Sequence, residues 1–164
     1  MSNPMYGQNK ADNRVGHVTK KEAYLNLGTT TAVVLDADQM LEHAAIAGDP
    51  NGSARTVTTP TAALMITAIE KYSGGTAEVG DGFEFSFINT GTAGENETYT
   101  MTAGTGFTVV GFADVENPVT THDAFSVGSS LWRVQKTGSA TCDIIRLASV
   151  SYTHLRAHET VLDL

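Results

Sequence analysis

The sequence predicts a mainly β protein, an antiparallel β-sandwich or jelly roll with one short helix and an extended N-terminal arm. Two observations lead to this prediction. Threonine is abundant, and its β-branched side chain suits the solvent face of a sheet and disfavours helix. Short apolar stretches with period-two alternation are separated by short Gly- and Ser-rich turns, a pattern typical of antiparallel sheets.

The chain divides into three parts. Residues 1–30 are rich in Asn, Gly and Lys and are expected to form an extended arm. Residues 31–148 are expected to form the sandwich domain, because 164 residues suffice for one sizeable core but hardly for two. Residues 149–164 are the last part, and from about residue 150 onward they differ in character from the rest and resemble translated sequencing-adapter DNA. They are expected to be a non-native tail that takes no part in the fold.

The domain opens with two apolar runs at residues 31–35 and 40–47, and the Asp-Ala-Asp segment between them is predicted to be a turn. Asn51-Gly52 follows a proline and is a strong signal for chain reversal. Residues 55–58 then alternate as a strand should.

A single helix is predicted over residues 60–72. Thr59 is the expected N-cap, with Pro60 at the first helical position. Four apolar residues recur at spacings of three and four and should share one buried face: Ala62, Met65, Ile66 and Ile69. The Ser-Gly-Gly segment at 73–75 should end the helix.

The second half of the domain is predicted to consist of strands. Phe83, Phe85 and Phe87 alternate with polar residues and should share one face of a strand. Residues 97–102 and 107–110 are predicted to be strands of a meander. The remaining predicted strands and turns are strands 124–127, 131–136 and 141–147, with turns at 128–130 and 138–139.

Charge and hydropathy exclude two classes of partner. The net charge of −8 repels phosphate backbones, so a nucleic-acid partner is not expected. No membrane partner is expected either, since no apolar run approaches the ~20 residues that span a bilayer.

The sequence offers little for catalysis, and no enzyme activity, cofactor or metal is expected. Common catalytic motifs are absent, and Cys142, the single cysteine, is predicted to be a buried inert thiol. Asp36 and Asp38 have the spacing of calcium-loop ligands, but the later ligands of such a loop are missing. His154 and His158 have a metal-binding spacing, but they lie in the tail excluded above.

Three segments resemble small structural proteins of marine tailed phages: residues 49–64 (DPNGSARTVTTPTAAL), 80–90 (GDGFEFSFINT) and 102–106 (TAGTG). With the strand-rich end at 131–147, the resemblance covers about residues 41–147. Its motifs are turn and core signals, and no catalytic residue comes with it. The resemblance implies a capsid decoration or cement protein on the virion surface, often trimeric, whose partners are the major capsid protein and other copies of itself.

The arm contains four basic residues that are candidate contacts to the capsid or to a neighbouring subunit: Lys10, Arg14, Lys20 and Lys21. Two other functions stay open. The chain is alternatively a subunit of another particle, fibre or extracellular filament, or a carbohydrate-binding module in which Trp132 stacks on a sugar. A tryptophan within a predicted strand is more often part of the core.

Overall fold

A computed structural model describes residues 21–29, 32–91, 97–117 and 128–149. Within these residues the protein is mainly β, as predicted, but it has two helices. The elements, in chain order, are β1 (Lys21–Thr29), β2 (Val33–Val34), α1 (Ala37–Glu42), β3 (His43–Asp49), β4 (Arg55–Thr58), α2 (Ala62–Ser73), β5 (Gly82–Asn89), β6 (Thr98–Thr102), β7 (Phe107–Val110), β8 (Asp114–Glu116), β9 (Ser129–Lys136) and β10 (Cys142–Ser149).

The strands form two mixed sheets. The large sheet has the order β1-β3-β5-β9-β10-β7, and the small sheet has the order β2-β4-β6-β8. Antiparallel pairs join β5 to β9, β9 to β10 and β6 to β8. The other five pairs are parallel, so the prediction of purely antiparallel sheets is wrong. Parallel pairs arise because strands that follow one another along the chain enter different sheets. The next strand of the same sheet is then reached through a long connection, which allows it to run in the same direction as its neighbour.

Helix α2 buries the predicted face: Ala62, Met65, Ile66 and Ile69 are all buried. Its N-cap is Thr61, whose Oγ1 accepts a hydrogen bond from the backbone N–H of Leu64 at 3.3 Å. The predicted N-cap, Thr59, is buried instead, and its Oγ1 accepts a hydrogen bond from the N–H of Gly104. The helix ends at Gly74, which has a φ of 70°.

The predicted turn at residues 36–38 is the start of helix α1. Asp36 Oδ1 accepts hydrogen bonds from the N–H groups of Asp38 and Gln39 at 3.0 and 3.1 Å, so it is an N-cap. The helix lasts six residues and passes directly into β3 at His43. The Asp-Ala-Asp segment therefore marks the start of a helix and not the predicted turn.

The aromatic strand β5 lies in the centre of the protein. Phe83, Phe85 and Phe87 are at most 2% exposed, which confirms the predicted shared face. They belong to one continuous core that also includes the buried face of α2 and Trp132. Tyr99 of the small sheet contacts Phe87 of the large sheet, so both sheets contribute to this core.

Most of the other predicted strands are confirmed within one or two residues, but their partners are not those expected. Strands β6 and β7 lie in different sheets and do not form a meander. Ser129 and Ser130, predicted to be in a turn, begin β9. The turn at 138–139 is confirmed: Thr137 N–H donates to the carbonyl of Thr141 at 3.0 Å and closes the β9–β10 hairpin.

Part of the expected arm lies in the large sheet. Strand β1 pairs in parallel with β3, and Leu25 and Leu27 pack against the core. Residues 1–20, the predicted strand at 124–127 and residues 150–164 of the expected non-native tail lie outside the described residues. Ser149, the first residue of that expected tail, is the last residue of β10.

Candidate functional site

An open groove of about 580 Å³, here called the α1–α2 groove, lies beside the two helices. One wall is formed by the end of β2 and the start of α1, from Val34 to Asp38. The other wall comes from residues 58–61 and from the exposed side of α2. The lining is rich in threonine, and it also includes Gly104 and Thr105.

Two large apolar side chains line the groove and face solvent. Val34 on β2 is 71% exposed, and Leu64 on α2 is 59% exposed. Single exposed apolar residues are common on protein surfaces. Val34 and Leu64 both line this groove, so its lining includes exposed apolar surface.

The charged residues of the groove contact one another or the backbone. Lys71 Nζ donates a hydrogen bond to Asp38 Oδ2 at 2.8 Å, and this bond raises the pKa of Lys71 above its usual value. Asp36 caps α1 as described above. The two aspartates considered as calcium ligands are therefore engaged in a helix cap and in an ion pair.

Three further exposed apolar residues, here called the β7 patch, belong to β7, to the segment after it and to its neighbour β10 at one edge of the large sheet. Its members are Val110, Phe112 and Leu147, which are 40%, 58% and 44% exposed. The guanidinium of Arg146 lies 5.8 Å from the ring centre of Phe112 and 5.6 Å from that of Trp132.

Arg146 contacts the connection that follows β7. Its Nη1 donates to the backbone carbonyls of Phe112 and Asp114, which fixes the connection between β7 and β8. Burial lowers the pKa of Arg146, and the carboxylates of Asp114 and Glu116 oppose this shift. The arginine thus has a clear role in holding the loop that carries Phe112.

The structure shows the surroundings of two residues singled out from the sequence, Trp132 and Cys142. Trp132 is fully buried and donates its indole Nε1–H to Ser130 Oγ at 2.6 Å, so it is a core residue and cannot stack on a sugar. Cys142 is buried as predicted, and burial raises the pKa of its thiol to about 11. His43 is partly buried, with its Nδ1 2.9 Å from the carbonyl of Gln39.

The proposed basic contacts lie almost entirely outside the described residues. Lys10, Arg14 and Lys20 fall in residues 1–20, and only the backbone of Lys21 is described, as the first residue of β1. The histidines at 154 and 158 also lie outside. The contacts proposed for the four basic residues of the arm therefore stay predictions.

One buried polar cluster was not predicted. Glu97, which is 2% exposed, accepts hydrogen bonds from the N–H of Gly52 at 2.6 Å and from Asn117 Nδ2 at 3.2 Å. Asn89, equally buried, donates from Nδ2 to the carbonyls of Glu97 and Val115. The cluster ties the end of β5 to β6, to β8 and to the turn after β3. No sequence signal marks it, because its members are far apart in the chain.

The described residues hold no group of three or more His, Cys, Asp or Glu side chains that would suit a metal ion. Neither of the two described helices is long and apolar enough to cross a membrane. Comparisons with protein-family models, curated proteins and solved structures found no match to this chain.

Proposed function

We propose that this chain is a non-catalytic virion structural protein, a capsid decoration subunit that binds the shell and other copies of itself. In this proposal the two mixed sheets form a sandwich whose outer surface makes protein contacts. The observation that carries the proposal is the α1–α2 groove, whose lining includes the exposed apolar side chains of Val34 and Leu64. The resemblance of residues 41–147 to phage structural proteins gives the class of partner.

The chemistry of the groove favours a protein partner over a small substrate. Its ionisable lining residues are Asp36, Asp38 and Lys71, and each already has a hydrogen bond within the fold. A groove with apolar walls and engaged charges is suited to burying apolar surface of a partner. Repetition of such a contact over a symmetrical particle makes a weak interface strong in sum.

The test is to co-express the chain with the major capsid protein encoded nearest to it in its source genome and to separate particles on a density gradient. We expect the chain to sediment with the particles. Failure of the wild-type chain to do so, when it is folded and in excess, would contradict the proposal.

Two variants test the groove itself. Val34→Asp combined with Leu64→Asp places charge on both walls and should remove the chain from the particles. Val79→Asp is the matched control, because Val79 is 70% exposed and does not line the groove. If the double variant stays bound, the groove is not the interface.

Truncation tests the basic arm. Deletion of residues 1–20 removes Lys10, Arg14 and Lys20 but leaves β1 paired with β3. Reduced occupancy on particles would support a role for these residues, and unchanged occupancy would exclude it. A longer deletion that reached into β1 would disturb the large sheet and would not be interpretable.

A filament or fibre subunit is the second candidate, and the ends of the large sheet favour it. Strands β1 and β7 each have only one partner among the described residues, and the β7 patch lies beside the second of these edges. An open edge can accept a strand from another copy. Sedimentation of the isolated protein distinguishes the two: a filament subunit forms polymers that lengthen with concentration, whereas a decoration protein forms one small closed oligomer.

A further inference from the structure

The turn after β3 contains the one asparagine in this chain that is followed by glycine, Asn51-Gly52. Both residues are exposed, and their φ angles are 58° and 73°, in the left-handed region. The N–H of Asn51 donates to Asp49 Oδ1 at 2.8 Å. The turn is therefore tight and open to water.

An Asn-Gly pair is chemically labile. The backbone nitrogen of the glycine attacks the side-chain carbonyl carbon of the asparagine, a carbon–nitrogen bond forms, and ammonia leaves. The resulting five-membered succinimide is opened by water to aspartate or isoaspartate. Glycine favours the reaction because it has no Cβ to obstruct the approach of its nitrogen. The attacking nitrogen must first lose its proton.

In the folded protein that nitrogen is held by a buried carboxylate. Gly52 N–H donates to Glu97 Oε1 at 2.6 Å, and the other carboxylate oxygen of Glu97 accepts a hydrogen bond from Asn117. An anion beside the N–H makes loss of its proton harder, and the hydrogen bond to Glu97 must break before the nitrogen can attack. The attack therefore requires this corner of the protein to open.

We propose that Asn51 is a latent deamidation site and that Glu97 protects it in the folded state. The modification places a new carboxylate in a corner that already holds Asp49 and Glu97, so charge repulsion disfavours closing. Isoaspartate also lengthens the backbone by one methylene, which prevents Gly52 from returning to Glu97. Once Asn51 has deamidated in an opened chain, this corner does not return to its original closed state.

Peptide mapping by mass spectrometry tests the proposal, with the intact chain incubated at physiological temperature and mildly alkaline pH. We expect Asn51 to deamidate about ten- to a hundredfold more slowly in the folded wild-type chain than in the same chain unfolded in guanidinium. Asn26, Asn89 and Asn117 are internal controls, because Leu, Thr and Pro follow them. Equal rates at Asn51 in folded and unfolded chains would overturn protection by the fold.

Glu97→Gln tests the role of the carboxylate. It keeps the size of the side chain and removes the charge, and we expect Asn51 to deamidate several-fold faster than in the wild type, provided that circular dichroism shows a folded variant. A folded variant with the wild-type rate would exclude Glu97. If the variant does not fold, the comparison of folded and unfolded wild type still decides whether the site is protected. Deamidation of the unfolded chain that is no faster at Asn51 than at Asn26 would overturn the site itself.

Discussion

The ring of Tyr99 meets the ring of Phe87 edge-on, with 5.3 Å between ring centroids and 86° between the ring planes. Tyr99 belongs to the small sheet and Phe87 to the large one, and both are fully buried. The tyrosine hydroxyl also lies against Gly48 of β3, where an added Cβ would be only 2.9 Å away. Tyr99 is therefore a principal contact between the two sheets.

Tyr99→Ala should lower the free energy of unfolding by about 3–5 kcal/mol, the usual loss when a large buried aromatic side chain is truncated. Urea denaturation followed by circular dichroism measures it. Tyr24→Ala is the matched control, because Tyr24 is 55% exposed on β1 and should change stability by less than about 0.5 kcal/mol. Equal losses in the two variants would mean that Tyr99 does not join the sheets.

Lys136 is a buried cation bound to a backbone carbonyl. It is 9% exposed, and its Nζ donates to the carbonyl of Ala77 at 2.6 Å, which ties β9 to the segment after α2. Lys136→Met leaves that carbonyl without its donor and should cost about 1–3 kcal/mol in chemical denaturation. Lys71→Met, which breaks an exposed ion pair, should have no measurable effect. A Lys136→Met variant as stable as the wild type would contradict this role.

Thr61→Ala should destabilise the protein by about 1 kcal/mol, because it removes the N-cap of α2. Thermal and urea unfolding report the change. Thr67→Ala is the control within the same helix: Thr67 is exposed, and alanine is the better helix former. Greater loss at Thr67 than at Thr61 would show that the cap is not at residue 61.

Cys142 should make stability depend on alkaline pH. An unfolded thiol ionises around its ordinary pKa of 9.0, whereas burial raises the folded pKa to about 11. Between these two pKa values the thiol ionises in the unfolded chain but stays protonated in the folded one, which stabilises the unfolded state. The free energy of unfolding should therefore be highest below pH 9.0 and fall as the pH rises towards 11. Cys142→Ala should lose less stability than the wild type over the same window in denaturation curves. Identical pH profiles would mean that the thiol does not contribute.

Local patterns predicted local structure well. The alternation of Phe83, Phe85 and Phe87 depends only on the two-residue period of a strand, and the buried face of α2 depends only on the helical period. Both are confirmed. The N-cap was misplaced from Thr61 to Thr59 because two threonines flank Pro60 and both have side chains able to cap. Burial of Thr59 against Gly104 is a tertiary contact that local sequence does not encode.

Strand pairing was not predictable in the same way. Strands β3 and β5 pair in parallel although β4 and α2 separate them in the chain. A period-two pattern indicates a strand but does not indicate the direction of the strand that pairs with it. The groove and the cluster around Glu97 arise from such long-range pairing. Neither Val34 nor Glu97 carries a signal that distinguishes it from its neighbours in the sequence.

The position of β9 has a consequence for synthesis on the ribosome. This late strand lies between β5 and β10, and it alone covers one edge of β5. A nascent chain that ends before residue 129 carries the three phenylalanines of β5 beside an open backbone edge, a combination that promotes misassembly. The large sheet therefore closes only after β9 has been synthesised, and until then this edge of β5 is open to pairing with another chain.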